Sequence, residues 1–334
     1  MDVKDFIILF MSVFFEAMPF IVVGALISGV LEELVPQEMM ARIIPRNRLL
    51  AISMGALLGL VFPMCECGIV PIMRRLLRKG VPLSTGVAYM LAGPIINVVV
   101  FGSTWVAFRK YGDQGGYYIV AFRMILGFLV AVGTALVVDW YDRKKGSAAL
   151  LTLSALPPPI PEKTMSLSAS GEKMDLSPAP RKSPLQRLSN ISESALHDFI
   201  DISVFVVLGA ILASLSRMLI GTDKIAQWSV QYPPVAILAM MALAVFMCIC
   251  SEADAFIAAS YTTMHPSAKI AFLVFGPMFD FKLLLMFTRV YRPKLIRVIV
   301  ISLVVQVFLY TLILHYVWGP AGWPLPTQLR YVKP

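Results

Sequence analysis

Four cysteines stand in two C-x-C pairs, Met64-Cys65-Glu66-Cys67-Gly68 and Met247-Cys248-Ile249-Cys250-Ser251. Thiolates are soft ligands and suit soft metals and metalloids. On a continuous helix, residues two apart do not face each other. The thiols of a pair therefore converge only where a helix ends, which Gly68 and Pro71 allow after the first pair. The competing reading is a small apolar residue packed between helices; two pairs in register favour function. Glu252 and Asp254 follow the second pair. Carboxylates at that depth are costly and point to an ion or substrate pathway, unless the segment has already reached interfacial water. Asn97 and Asp280 each lie three residues beyond a Gly-Pro step, Gly93-Pro94 and Gly276-Pro277. Proline inside a helix removes a hydrogen bond and clashes with the previous turn. Such breaks mark binding sites in transporters, so Gly93, Pro94, Gly276 and Pro277 are the expected helix breaks. Asn97 and Asp280 then either meet solute at broken backbone or tie helices together. The substrate-binding candidates are Cys65, Cys67, Cys248, Cys250, Asn97, Asp280, Glu252 and Asp254. Lys282 needs a carboxylate partner, which the sequence does not identify.

These residues sit on elements built for lipid. The chain has 334 residues, 58% hydrophobic and 15% charged, with mean hydropathy +0.78; a soluble domain carries about 25% charged residues. Val81–Phe108 holds no Asp, Glu, Lys or Arg, Tyr117–Val138 holds only Arg123, and Val298–Trp318 again holds none. A helix of about 20 apolar residues crosses a bilayer, because backbone groups in lipid must be satisfied internally. An all-α polytopic membrane protein follows, with the lipid bilayer as its first partner. The net charge of +9 lies in flanks of the apolar runs, as cytoplasmic retention of Lys and Arg requires, and argues against nucleic acid. Arg74, Arg75, Arg78 and Lys79 are expected to form an interfacial anchor. No G-x-x-x-x-G-K-[ST] phosphate loop occurs, no cofactor or metal is implied, and enzymatic activity is not expected.

The two halves match. A shift of 183 residues puts Cys65 on Cys248, Cys67 on Cys250, Gly93-Pro94 on Gly276-Pro277 and Asn97 on Asp280. A shift of 185 puts Glu16 on Asp201 and Gly24-Ala25 on Gly209-Ala210. Internal repeats of this kind are the signature of many transporter folds. The expected organisation is a first membrane repeat over residues 1–142, a Pro/Ser-rich disordered linker over 143–194, a second membrane repeat over 195–320 and a C-terminal tail over 321–334. Each repeat is read as three long spans plus a C-x-C helical hairpin, the alternative being eight plain spans. If the hairpin enters and leaves on one face, the repeats are inverted, and fourteen Lys/Arg fall on the cytoplasmic side against eight outside; eight plain spans divide them eleven and eleven. Positive charge collects inside, which favours inversion.

Pro63-Met64-Cys65-Glu66-Cys67-Gly68, Ala92-Gly93-Pro94-Ile95-Ile96-Asn97 and Cys250-Ser251-Glu252-Ala253-Asp254-Ala255-Phe256 resemble the bacterial predicted-permease family that includes the organoarsenical efflux permeases, the ArsP family. The resemblance covers both membrane halves and leaves out the linker. It implies a multi-pass protein of the bacterial plasma membrane and, for some members, export of trivalent organoarsenicals; family members are commonly described as eight-span proteins. The expected function is secondary-type efflux of a soft, thiophilic small-molecule solute. Other sulfur-containing or metal solutes, a passive channel and a membrane thiol oxidoreductase are the alternatives, and a homo-oligomer is compatible with all of them.

Overall fold

A chain in lipid has no water to satisfy its amides, so the apolar runs close their backbone bonds as helices. The computed structural model describes residues 3–34, 44–45, 47–61, 64–109, 113–152, 155–156, 184–219, 232–261 and 264–318. Among these, the helices are Val3–Leu34 (α1), Arg48–Val61 (α2), Glu66–Arg78 (α3), Leu83–Ala92 (α4), Val98–Phe108 (α5), Asp113–Lys145 (α6), Ser147–Leu150 (α7), Pro184–Leu219 (α8), Pro233–Met247 (α9), Asp254–Ser260 (α10), Pro266–Met278 (α11), Phe281–Val290 (α12) and Pro293–Trp318 (α13). One isolated bridge pairs Leu151 with Tyr291. Among the described residues, four segments are long and apolar enough to cross a membrane: Gly116–Lys145, Ser189–Ile211, Pro266–Val290 and Pro293–Val317. Shorter apolar helices fill the spaces between them, as a polytopic membrane protein requires.

The long helices run side by side in opposite senses. Ser28 Oγ donates to Asp198 Oδ2 at 2.7 Å and Asn190 Nδ2 donates to Glu33 Oε2 at 3.3 Å, so α1 and α8 are antiparallel. Gln306 Nε2 donates to Thr134 Oγ1 at 3.1 Å, while Arg292 N donates to Leu150 O at 2.9 Å just past the end of α6; α6 and α13 are antiparallel as well. Glycine permits the closest crossings. A Cβ on Gly24 of α1 would come within 2.7 Å of the Gly68 backbone on α3, and one on Gly59 of α2 within 2.6 Å of Gly93 Cα.

Basic residues collect at one end of the bundle. Arg74 and Arg75 both pair with Asp198, Arg289 approaches Asp201 at 3.9 Å, Arg48 approaches Asp139 at 3.6 Å, and Arg292 Nε donates to Leu151 O at 3.0 Å. Arg74 and Arg75 are thus structural ties, not the anchor expected from their sequence, because Asp198 comes from α8 and lies 1% exposed. At the other end, His265 and His315 meet edge to face with ring centroids 4.3 Å apart, and Lys269 lies 6.0 Å from the Phe108 ring.

The expected linker carries structure at both of its ends. Residues 143–145 complete α6, Leu150, Leu151 and Ala155 are buried, and α8 begins at Pro184, so residue 195 falls inside a helix. Residues 157–183, which hold most of the prolines, and the 321–334 tail lie outside the described residues.

Candidate functional site

The helix breaks place the candidates, and they differ in detail from the sequence expectation. In the first half the break precedes the cysteines: α2 stops at Val61, Cys65 is the extended N-cap of α3, and Cys67 lies in its first turn. Gly68 does not end a helix; it lets α1 approach. In the second half α9 ends at Cys248, which adopts a left-handed conformation with φ 47° and ψ 44°. Among the described residues it is the only non-glycine with positive φ, a backbone state costing about 1–3 kcal/mol. Gly93 and Pro94 lie in the turn between α4 and α5, as expected. Gly276 and Pro277 do not form a break. They lie in the last turn of α11, and the chain leaves the helix at Phe279-Asp280, because Phe279 N still reaches Phe275 O at 2.9 Å.

Asn97 and Asp280 occupy the same structural place. Each is an N-cap, with Asn97 Oδ1 accepting from Val100 N at 2.8 Å and Asp280 Oδ1 from Leu283 N at 2.6 Å. Such caps stabilise a helix by about 1 kcal/mol. Asn97 is then used up, since its Nδ2 donates to Gly93 O at 3.2 Å. Asp280 is not: its Oδ2 lies 3.7 Å from Lys282 Nζ and has no hydrogen-bond partner.

Lys282, 2% exposed, is the centre of the site. Its ammonium donates to Glu66 Oε1 at 2.9 Å, which links α12 of the second half to α3 of the first. Cys67 and Cys248 both lie within its electrostatic reach, and the Cys248 Sγ donates to Val245 O at 3.2 Å. The Cys65 and Cys67 thiols are neighbours. A second buried ion pair stands beside this one. Arg123, fully buried in α6, donates to Asp254 Oδ2 at 2.8 Å, Thr104 Oγ1 at 2.8 Å and Ser251 O at 2.9 Å. Glu252 lies between the clusters, near Glu66, Arg123 and Cys250. All four cysteines are buried and none forms a disulfide. They are not one ligand sphere: among the described residues no group of three or more His, Cys, Asp or Glu could hold a metal ion.

The structure therefore sets Asp280, Cys67 and Cys248 within electrostatic reach of Lys282, Cys65 next to Cys67, Glu252 and Asp254 near Arg123 and Cys250 next to Glu252, and leaves Asn97 as a cap. Glu66, Lys282 and Arg123 complete the site but were not among the sequence-derived candidates. The signal for Arg123 was present, as the single charge in Tyr117–Val138; an ionisable residue in a span is by default functional. A small cavity opens at the basic end between α3, α8 and α12. It is lined by Val70, Pro71, Arg74, Asp198, Asp201, Met286, Arg289 and Val290, and its walls begin one helical turn beyond Glu66 on α3 and Lys282 on α12.

A multi-pass helical membrane protein with broken helices and ion pairs buried at their ends has the make-up of a transporter rather than an enzyme. The comparisons agree. A family model described as "Predicted permease" (ArsP_1) matches residues 2–316, and the chain belongs to this predicted-permease family. It is similar to the UPF0718 protein YcgR of Bacillus subtilis strain 168, at 35% identity over 300 residues, 90% of this chain and 93% of that protein. It is also similar to a putative two-component membrane permease complex subunit of Streptococcus mutans, at 29% identity over 307 residues, 91% of this chain and 93% of that protein. No solved structure matches it.

Proposed function

We propose that this chain is a plasma-membrane permease that exports a soft, thiophilic solute, such as a trivalent organoarsenical, through two inverted halves that meet at Lys282. The observation that carries the reading is the placement of one cysteine from each pair, Cys67 and Cys248, beside the same buried cation at the ends of discontinuous helices. Cys248 adds a second argument. Glycine ends helices in the left-handed state without steric cost, yet a thiol stands there and bears that cost. A role for the thiol itself accounts for a cysteine at that position.

Inversion is supported by the antiparallel pairing of elements that correspond in sequence, α1 with α8 and α6 with α13. A re-entrant first C-x-C unit is supported by its length and its ends. Helices α2 and α3 have 14 and 13 residues, about 20 Å each and short of the roughly 30 Å hydrocarbon core, and Arg48 and Arg75 both pair at the end where α6 finishes. Reporter fusions should place Arg78 and Arg292 on the cytoplasmic face and Lys110 and Lys224 on the other. Arg292 and Lys224 reporting from the same face would rule out inversion.

The solute is tested by comparing cells with and without the protein for resistance to phenylarsine oxide, arsenite, antimonite and small thiol compounds, and by cysteine variants at matched abundance. Replacing either pair with Ser should abolish most of the resistance that the protein confers. Cys248→Gly separates packing from chemistry. Relief of the left-handed strain offsets lost thiol packing, so stability should stay within about 1 kcal/mol, while resistance should be lost. A quadruple Ser variant with unchanged resistance and efflux would reduce the cysteines to packing residues.

A further inference from the structure

Two carboxylates share one cation at the centre of the molecule. Glu66, Asp280 and Lys282 are 1%, 1% and 2% exposed, and Lys282 Nζ lies 2.9 Å from Glu66 Oε1 and 3.7 Å from Asp280 Oδ2. The neighbouring cation is engaged elsewhere, since Arg123 Nη2 lies 2.8 Å from Asp254 Oδ2 and Glu252 stands close to it. With both acids ionised, the Lys282 cluster therefore carries a net negative charge inside an apolar bundle, where an uncompensated charge is expensive. Two acceptor atoms in it, Glu66 Oε2 and Asp280 Oδ2, have no hydrogen-bond partner.

A proton bound to either carboxylate removes the excess charge. A bare alkali cation fits less well. It needs several converging oxygens, and among the described residues no three carboxylate, thiol or imidazole groups converge as a cation cage. The other ionisable groups that face the pair are Cys67 on α3, Cys248 at the end of α9, and Glu252 and Asp254 beyond it. None of them supplies a second cation. The cavity between α3, α8 and α12 lies at the basic end, its walls one helical turn from Glu66 and Lys282.

We propose that Glu66 and Asp280, held on either side of Lys282, form a proton-binding centre that couples solute movement to the transmembrane proton gradient. The coupling rests on the permease reading; the proton site does not. The step is a simple transfer. A carboxylate takes a proton from solvent at one face and returns it to solvent at the other, with no oxidant or further reactant.

The test uses the full chain in lipid. Infrared spectroscopy near neutral pH should show the C=O stretch of a protonated carboxyl group, shifted in heavy water. That band should disappear or move in both Glu66→Gln and Asp280→Asn. Each variant still leaves one carboxylate opposite Lys282, and Asp280→Asn keeps the cap oxygen, so both should assemble. In proteoliposomes with phenylarsine oxide as the probe, a gradient of one pH unit should shift the steady-state distribution by up to about tenfold for one-for-one exchange. A sodium gradient should shift nothing, and both variants should lose the pH response. Absence of the carboxyl band in the wild type, or a probe distribution that follows sodium and ignores pH, overturns the proposal. If the probe is not moved but the band is present and vanishes in the variants, the solute assignment falls and the proton site stands.

Discussion

Replacing Arg123 with Met should destabilise the protein by about 3–5 kcal/mol, enough to deplete it from the membrane. Arg123 is fully buried and ties three elements: Thr104 of α5, Ser251 at the break after the second C-x-C pair, and Asp254 of α10. Removing the guanidinium leaves the Asp254 carboxylate, 2% exposed, without its cation. The cost of breaking one side of a buried pair comes mainly from that stranded charge, whereas an apolar replacement of both partners is often neutral or stabilising. The double variant Arg123→Met with Asp254→Leu should therefore recover most of the lost stability. Thermal unfolding of the purified protein in detergent, with membrane abundance alongside, reads both effects. A double variant that folds but confers no resistance would place Asp254 in transport. Arg123→Met with unchanged unfolding would refute the ion pair as a structural element.

Asp198→Ala should have an effect of the same size at the basic end. One buried carboxylate there receives a hydrogen bond from Ser28 Oγ on α1, one from Arg74 Nη2, and two from Arg75 Nε and Nη2 on α3. Its loss removes the buried carboxylate that the Arg75 side chain, 7% exposed, and the Arg74 side chain, 13% exposed, share, and leaves Arg74 only the partly exposed Asp201 at 3.6 Å. A penalty of about 3–5 kcal/mol follows. Ser28→Ala removes only a neutral donor from the same carboxylate and should cost about 0.5–1.5 kcal/mol. The contrast is the measurement. If the two variants unfold alike, the charges contribute no more than the hydroxyl. The α1, α3 and α8 junction would then be held by packing at Gly24 and Gly29, where a Cβ would meet neighbouring backbone at 2.7 Å.

How legible the site was depends on what each residue type reports by itself. The cysteine pairs, the matching Asn97 and Asp280 and the Gly93-Pro94 break could be read because spacing repeated across the chain. Repetition at a fixed offset is a one-dimensional signal. Gly276 and Pro277 misled for a local reason. Proline removes its own N–H but leaves the carbonyls around it free to accept, so α11 keeps its last turn and the chain departs two residues later. Arg74 and Arg75 misled for a non-local one. A run of basic residues at the end of an apolar stretch suits an interface equally well, until Asp198 arrives from a helix more than a hundred residues away.

The sequence by itself determined the membrane class, since uncharged runs of twenty and more residues leave the backbone no alternative to helices that bond within themselves. It also determined the two matched sets of chemistry-bearing residues, because their offsets are properties of the chain alone. The tertiary structure decided which of those residues act together. Glu66 and Lys282 are 216 positions apart and meet at 2.9 Å; Arg123 and Asp254 are 131 apart and meet at 2.8 Å. Local propensity carries no information about such pairs. They form because burial makes a lone charge so costly that helices pack only in an arrangement where each cation finds its carboxylate, and that arrangement exists only once the two halves have come together.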